Sequence, residues 1–146
     1  MIDGVTNSDG IGVLERLMQF AGQRHRLIAT NIANLSTPNY RPLDVSVTDF
    51  QKQLGEAIDR QRQTELEPVS PDELPIESTS QVEVSPVGLT LHPQPAGDNL
   101  LFHDGNDRSL EHQMKDLVEN FMTFRFAAEA IRNRFDIINT AIRGRV

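Results

Sequence analysis

Cysteine is missing from this 146-residue chain, which excludes disulfide staples and thiolate metal sites. Tryptophan is missing too, tyrosine occurs once, as Tyr40, and aromatic residues make up 5% of the sequence. Apolar residues make up only 38%. Chains of this size usually bury about two thirds of their unfolded surface, and this one is poorly supplied for a compact enzyme core. No run of 18 apolar residues occurs, so no membrane-spanning segment is expected. Met1 to Gly12 lacks the basic and apolar regions of a cleaved secretory signal. The expectation is a protein that is cytosolic or leaves the cell by an unusual route. Lysine and arginine are absent from 65–98, which holds Glu65, Glu67, Asp72, Glu73, Glu77, Glu83 and Asp98. That segment carries the whole formal charge of −7, since the remainder balances at 14 against 14. An uncompensated acidic segment repels phosphate backbones, so no nucleic-acid partner is expected.

Catalytic and metal-binding patterns are equally scarce. His25, His92, His103 and His112 form no metal-ligand spacing, and no Gly-rich phosphate loop or nucleophile elbow is present. Asp104-Gly105-Asn106-Asp107 resembles a calcium loop only in flavour, because the twelve-residue frame is lacking. It reads better as a turn into a helix cap. No enzyme activity, cofactor or metal is expected.

What is present is helical periodicity at both ends. Leu14, Met18, Ala21, His25, Ile28, Ile32 and Leu35 recur at alternating spacings of four and three, one stripe of an α-helix. Asp9 or Ser8 is the candidate cap. Pro38 ends this helix, because the residue before a proline avoids helical angles. Thr37-Pro38-Asn39-Tyr40 then reads as a tight turn, with Pro at its second position and a left-handed-tolerant Asn at its third. Leu43, Val45 and Val47 alternate with polar residues and suggest a short extended run. Thr48 and Gln51 resemble a capping box for a short helix with Phe50, Leu54, Ala57 and Ile58 on one side.

The strongest signal lies at the other end. Leu110, Met114, Leu117, Phe121, Phe124, Ala128, Ile131, Phe135, Ile138 and Ile142 keep the same spacing without a break, and neither Gly nor Pro interrupts Asp107 to Arg143. Asp107 or Ser109 is the candidate cap. Early acids and late arginines suit the helix dipole.

Six of the eight prolines fall between Asp59 and Asp104, which with the acids is the composition of a flexible or extended segment. Val82, Val84, Val87, Leu89 and Leu91 fit either a short β-hairpin or a solvated loop. The fold class expected is therefore mainly α, with long N- and C-terminal helices forming a coiled-coil-like pair and an extended or partly disordered, Pro-rich, acidic middle. The divisions are 1–58, 59–104 and 105–146. Two helices paired only with each other leave each stripe half covered, which favours a subunit of a larger assembly. Asn31 and Asn34 share one helix face. They are either polar contacts that fix register across a helix interface or a frayed helix end capped by Asn34.

The run Leu27-Ile28-Ala29-Thr30-Asn31-Ile32-Ala33-Asn34-Leu35-Ser36-Thr37-Pro38-Asn39-Tyr40-Arg41 closely resembles the N-terminal signature of bacterial flagellar rod and hook proteins, (A/S)-x-N-(I/L)-A-N-x-x-T-P-G-Y-(K/R). Asn39 stands where that family usually has Gly. Asp104-Gly105-Asn106, then Leu110-Glu111 and Met114, is similar to the DGN…LE.EM region of its proximal rod members. The resemblance covers about residues 12–58 and 100–146. It implies a structural subunit of the basal-body rod that assembles helically through its terminal helices and transmits torque across the periplasm. It also implies export through the flagellar type III apparatus without a cleaved signal peptide. The implied partners are FlgC-like, FlgF-like and FlgG-like rod proteins and the adaptor FliE, in a higher-order hetero-oligomer. The assembly residues expected on this reading are Leu14, Met18, Ala21, Ile28, Asn31, Ile32, Asn34 and Leu35 on the first helix. Thr37, Pro38 and Tyr40 in the turn join them, with Leu117, Phe121, Phe124, Ile131, Phe135 and Ile138 on the last helix. The other reading is a cytosolic helical-hairpin adaptor or export chaperone, which has no evident need for the Thr37–Arg41 turn.

Overall fold

The computed structural model describes residues 9–63, 76–85, 88–95 and 110–144. The cap candidates Ser8, Asp107 and Ser109, the Asp104-Gly105-Asn106 turn, Val87 and much of the acidic Pro-rich segment lie outside the described residues. Among the described residues the protein is mainly helical, with a long helix toward each end. Helix α1 spans Asp9–Ala33, α2 spans Val47–Gln63 and α3 spans Leu110–Ile142. The last, 33 residues, is roughly 50 Å long at 1.5 Å per residue.

α1 stops where the sequence says it must. Asn34 N–H bonds both Thr30 O at 3.1 Å and Asn31 O at 3.2 Å, and Leu35 N–H bonds Ile32 O at 3.3 Å. The last turn tightens as free carbonyls find nearer donors. Tyr40 N–H then closes the turn onto Thr37 O at 3.2 Å. Asn39 sits at φ 61°, the left-handed conformation that Asn tolerates better than other side-chain-bearing residues. Pro38 presets the preceding φ, so the pair fits a type II turn. At the far end, Gly144 at φ 60° ends α3, and its N–H bonds Ala141 O at 3.2 Å.

The segment after the turn departs from its expected form. Only Leu43–Asp44 is a strand, β1, and Val47 already belongs to α2. The cap of α2 is Ser46, not Thr48. Ser46 Oγ accepts from Asp49 N–H at 3.2 Å, and Ser46 O accepts from Phe50 N–H at 3.2 Å. Both residues have a hydroxyl with a polar residue three positions on, so the frame slips easily by two.

Strands β2 (Val82–Ser85) and β3 (Gly88–Leu91) form an antiparallel pair that sets Val82 opposite Leu91 and Ser85 opposite Gly88. The hairpin alternative therefore holds over the loop. A two-residue strand, β4 (Gln94–Pro95), pairs antiparallel with β1. The outer edge of β3 meets α1 side chains instead of another strand. Gln23 Nε2 donates to Leu89 O, and Gln23 Oε1 accepts from Leu91 N–H at 3.2 Å. Gln19 Oε1 accepts from Leu89 N–H at 3.2 Å.

The apolar core lies among α1, α2 and the hairpin. Phe20, Val45, Phe50, Leu54, Ala57, Ile76, Val82 and Leu89 form one buried cluster, with Val13, Leu17 and Ile58 packed against it. Phe20 and Phe50 stack with ring centroids 3.9 Å apart and planes 2° from parallel. An aromatic pair of this kind adds about 0.5–1.5 kcal/mol beyond the area it buries. α1 thus has apolar cover within its own chain.

Candidate assembly surface

α1 and α3 run antiparallel, since Asn31 meets Gln113, Ala21 meets Asn120 and Gly10 lies against Arg134. Their seam is small and polar. α3 buries only Gln113, Asn120 and Ala127, spaced by seven. α1 offers Ala21, Arg24, Ile28 and Asn31. Asn120 Nδ2 donates to Ala21 O at 2.8 Å.

Asn31, 2% exposed, is the hub of the turn. Its Nδ2 donates to Leu43 O at 2.7 Å and reaches Gln113 Oε1 at 3.4 Å. Its Oδ1 accepts from Tyr40 Oη at 2.8 Å and from Leu43 N–H at 3.1 Å. Asn34 instead caps the helix. Its Nδ2 donates to Thr30 O at 2.8 Å, and its Oδ1 accepts from Thr37 Oγ1 at 3.3 Å. Asn34 thus takes the capping position, whereas Asn31 ties the turn to α1 and reaches α3 only through Gln113. Burial raises the Tyr40 phenol above its ordinary value of 10.0, because phenolate is poorly solvated there.

Beside the hub lies a buried charge cluster. Arg24 grips Asp44 in a fork, Nε to Oδ1 at 2.9 Å and Nη2 to Oδ2 at 2.7 Å. Asp116 of α3 stands 4.0 Å from the same guanidinium and 3.4 Å from His112 Nε2. Burial alone would lower the Arg24 pKa, but the hydrogen bonds it donates to Asp44 and the charges of Asp44, Asp116 and Glu119 outweigh it and raise the value. Arg24 therefore stays charged and ties α1, β1 and α3 together. Asp44 Oδ1 also accepts from Val45 N–H at 2.8 Å.

The phenylalanines of α3 lie elsewhere. At 3.6 residues per turn, the apolar stripe is centred about 60° round the helix from the buried Gln113, Asn120 and Ala127. α1 therefore covers one edge of the stripe. Phe121 is 49% exposed, Phe124 37% and Phe135 51%, while Leu117, Ile131 and Ile138 are half-buried. On α1, Ala21, Ile28 and Asn31 are buried. Leu14, Met18, Ile32, Asn34 and Leu35 are half-buried, as is Tyr40, whereas Thr37 and Pro38 are exposed, as is the stripe residue His25. A groove of about 940 Å³ runs over the open face of α1 between the hairpin and α3. Met18, Gly22, Leu27, Leu91, Pro93, Phe121 and Phe124 line it, with His25 and Arg26. A Cβ added at Gly22 would sit 3.7 Å from the Phe124 ring, so this glycine keeps the floor low. Met114, Val118, Met122, Phe126 and Ile137 on α3 are exposed as well.

Sequence reasoning missed Arg24, Asp44, Gln113, Asp116 and Asn120. The seven-residue spacing of Gln113, Asn120 and Ala127 was the available signal. Among the described residues no helix is long and apolar enough to cross a membrane.

An exposed apolar helix face, attached through a polar seam to a small core, marks an interaction surface. No family model matches the chain. Two relatives align with nearly all of it. One, from Bacillus subtilis (strain 168), is 26% identical over 131 residues, covering 90% of this chain and 91% of the relative. The other, from Borrelia hermsii, is 24% identical over 135 residues, covering 91% of this chain and 95% of the relative. Both are flagellar basal body rod proteins, and the chain is similar to both over nearly its whole length. The particular rod protein, in both species, is FlgB.

Proposed function

We propose that the chain is a structural subunit of the proximal flagellar rod, and that α1 and α3, paired in coiled-coil fashion, pack against the same helices of neighbouring subunits. Repeated head-to-tail contacts of this kind build an open helix, a tube able to transmit torque across the periplasm. In this reading residues 1–58 and 105–146 form the assembling ends and 59–104 the variable insert. The subunit leaves the cell through the type III export apparatus without a cleaved signal. Its neighbours are FlgC-like, FlgF-like and FlgG-like rod proteins and the adaptor FliE.

The observation that carries this reading is the uncovered apolar face of α3, where Phe121, Phe126 and Phe135 stand about half or more exposed. Of the assembly residues expected from sequence, Met18, Phe121, Phe124 and Phe135 are available to neighbours. Ala21, Ile28 and Asn31 serve by shaping the chain's own seam. Phe121→Asp tests the reading. The residue is exposed in the single chain, so thermal unfolding of the purified variant should stay close to that of the parent. In cells the same change should abolish motility and remove the chain from isolated basal bodies, because assembly would bury an unpaired charge. Wild-type motility with this variant as the sole copy would refute the packing.

A further inference from the structure

We infer that the buried polar side chains between α1 and α3, together with the small site of Ala127, form a register key: they admit one axial setting of α3 and reject those a heptad away. The inference concerns a single chain and does not depend on the rod reading. The apolar stripe of α3 does not make this choice. Leu110, Leu117, Phe124, Ile131 and Ile138 fall at every seventh residue, and so do Met114, Phe121, Ala128, Phe135 and Ile142. Sliding α3 by seven residues, about 10 Å along its axis, puts another apolar residue in each stripe position. The connection does not forbid the slide either. Pro95 pairs with Leu43, and Leu43 and Gln113 both reach Asn31, so the chain between Pro95 and Leu110 starts and ends close together. At up to about 3.3–3.6 Å per residue, it has length to spare.

The seam does not repeat in this way. Among the described residues the buried polar or charged side chains are Arg24 and Asn31 on α1 and Gln113 and Asn120 on α3, seven apart on each helix. All four have partners in the observed setting. Asn120 Nδ2 donates to Ala21 O at 2.8 Å, Gln113 Oε1 accepts from Asn31 Nδ2 at 3.4 Å, and Arg24 has Asp116 at 4.0 Å beyond its fork on Asp44. Ala127, 0% exposed, fills the next site in the row. Slide α3 one heptad toward the end of α1, and Thr123 replaces Asp116 before Arg24 while Arg134 enters the Ala127 site. Slide it the other way, and Ser109 faces Arg24 while the Asn120 amide enters the Ala127 site, away from the Ala21 carbonyl. Either slide takes a carboxylate from a buried cation and forces a larger polar side chain into the closed site of a methyl group. Both changes are costly. A polar residue at a buried heptad position selects register in this manner, at some expense of stability. The setting also decides where Phe121, Phe126 and Phe135 stand along the body of the chain.

Spin labels read the setting in the purified full-length chain. The chain has no cysteine, so labels go to Ala29→Cys on α1 and Asn133→Cys on α3, both at exposed positions. Pulsed electron paramagnetic resonance should give one narrow separation for this labelled parent. Asp116→Ser, Asn120→Gln, Thr123→Asp, Ala127→Asn and Arg134→Ala together move the key on by seven residues. In that chain α3 should slide a heptad, carrying Asn133 to the level where Phe126 stands and shortening the separation by roughly 8–10 Å. An unchanged separation in the folded variant, or two separations in the parent, would overturn the key. Should the moved key cost the chain its helical circular dichroism, erasing the key decides. Gln113→Leu, Asp116→Leu, Asn120→Leu and Arg134→Ala keep good helix formers throughout and should spread the separation over two settings differing by that same amount. A single parent-like separation would refute the inference. Loss of helix here as well would show that the seam is needed to fold rather than to choose, and would refute it equally.

Discussion

Replacing Asn31 with alanine should unfasten the turn that follows α1. Three short hydrogen bonds are lost, to Leu43 O, from Tyr40 Oη and from Leu43 N–H, at 2.7, 2.8 and 3.1 Å, together with the long one to Gln113 Oε1 at 3.4 Å. Each is worth about 1 kcal/mol net, and more where a partner is left buried without water. Alanine is the better helix former by roughly half a kcal/mol, which offsets part of the loss. The expected destabilisation is about 2–3 kcal/mol. At about 2–4 °C per kcal/mol for a chain near this size, the melting midpoint falls by roughly 4–12 °C. Tyr40→Phe removes one of the three bonds and should cost about 1 kcal/mol. The same change in the Asn31→Ala background should cost close to nothing, because its acceptor is already gone. Urea unfolding followed by circular dichroism, with the four chains compared at equal slope, measures the coupling. A loss below about 0.5 kcal/mol for Asn31→Ala, or equal effects of Tyr40→Phe in both backgrounds, would refute the assignment of Asn31 as the hub.

Two further outcomes follow from the seam. Arg24→Lys keeps the charge but loses the fork onto Asp44, and should destabilise by about 1–2 kcal/mol; Arg24→Ala leaves Asp44 and Asp116 facing each other without a cation and should cost about 3 kcal/mol in the same urea assay. Tyr40 is the single tyrosine, so phenolate absorbance reports it alone. Its pKa is raised by burial, so the unfolded chain releases this proton first. The Tyr40 contribution to stability is complete below pH 10.0 and is lost as pH rises from there through the higher folded value. Unfolding in urea should shift the phenolate titration to lower pH, and an unshifted curve would contradict the burial.

The parts of the fold that were legible in sequence are those set by local rules. The unbroken four-three spacing from Leu110 to Ile142 specifies a helix whatever it packs against. Pro38 and Asn39 specify the turn, and the Asn tolerates the φ of 61° that its place demands. Helix boundaries near Val47 were less legible, because β-branched residues suit a strand and Ser46 and Thr48 offer two cap frames. The candidate surface was legible in membership but not in arrangement. Periodicity marks Phe121 and Phe135 as apolar and aligned, but it does not say whether the chain itself or another molecule covers them. The seam chose Ala21, Ala127 and polar neighbours because small side chains let two helix backbones approach, and long-range bonds such as Asn120 to Ala21 have no local signature. Phe20 escaped notice because it lies one position off the stripe and faces α2, a partner that only the three-dimensional arrangement supplies.

Gln19 and Gln23 bear on the behaviour of many copies crowded together. A bare strand margin invites stitching to any extended backbone nearby, and repeated stitching leads to cross-β aggregates. Here the amide groups of two glutamines occupy the hydrogen-bonding positions of β3 that a stray chain would seek. Two copies can therefore come close together without their β3 edges stitching to one another.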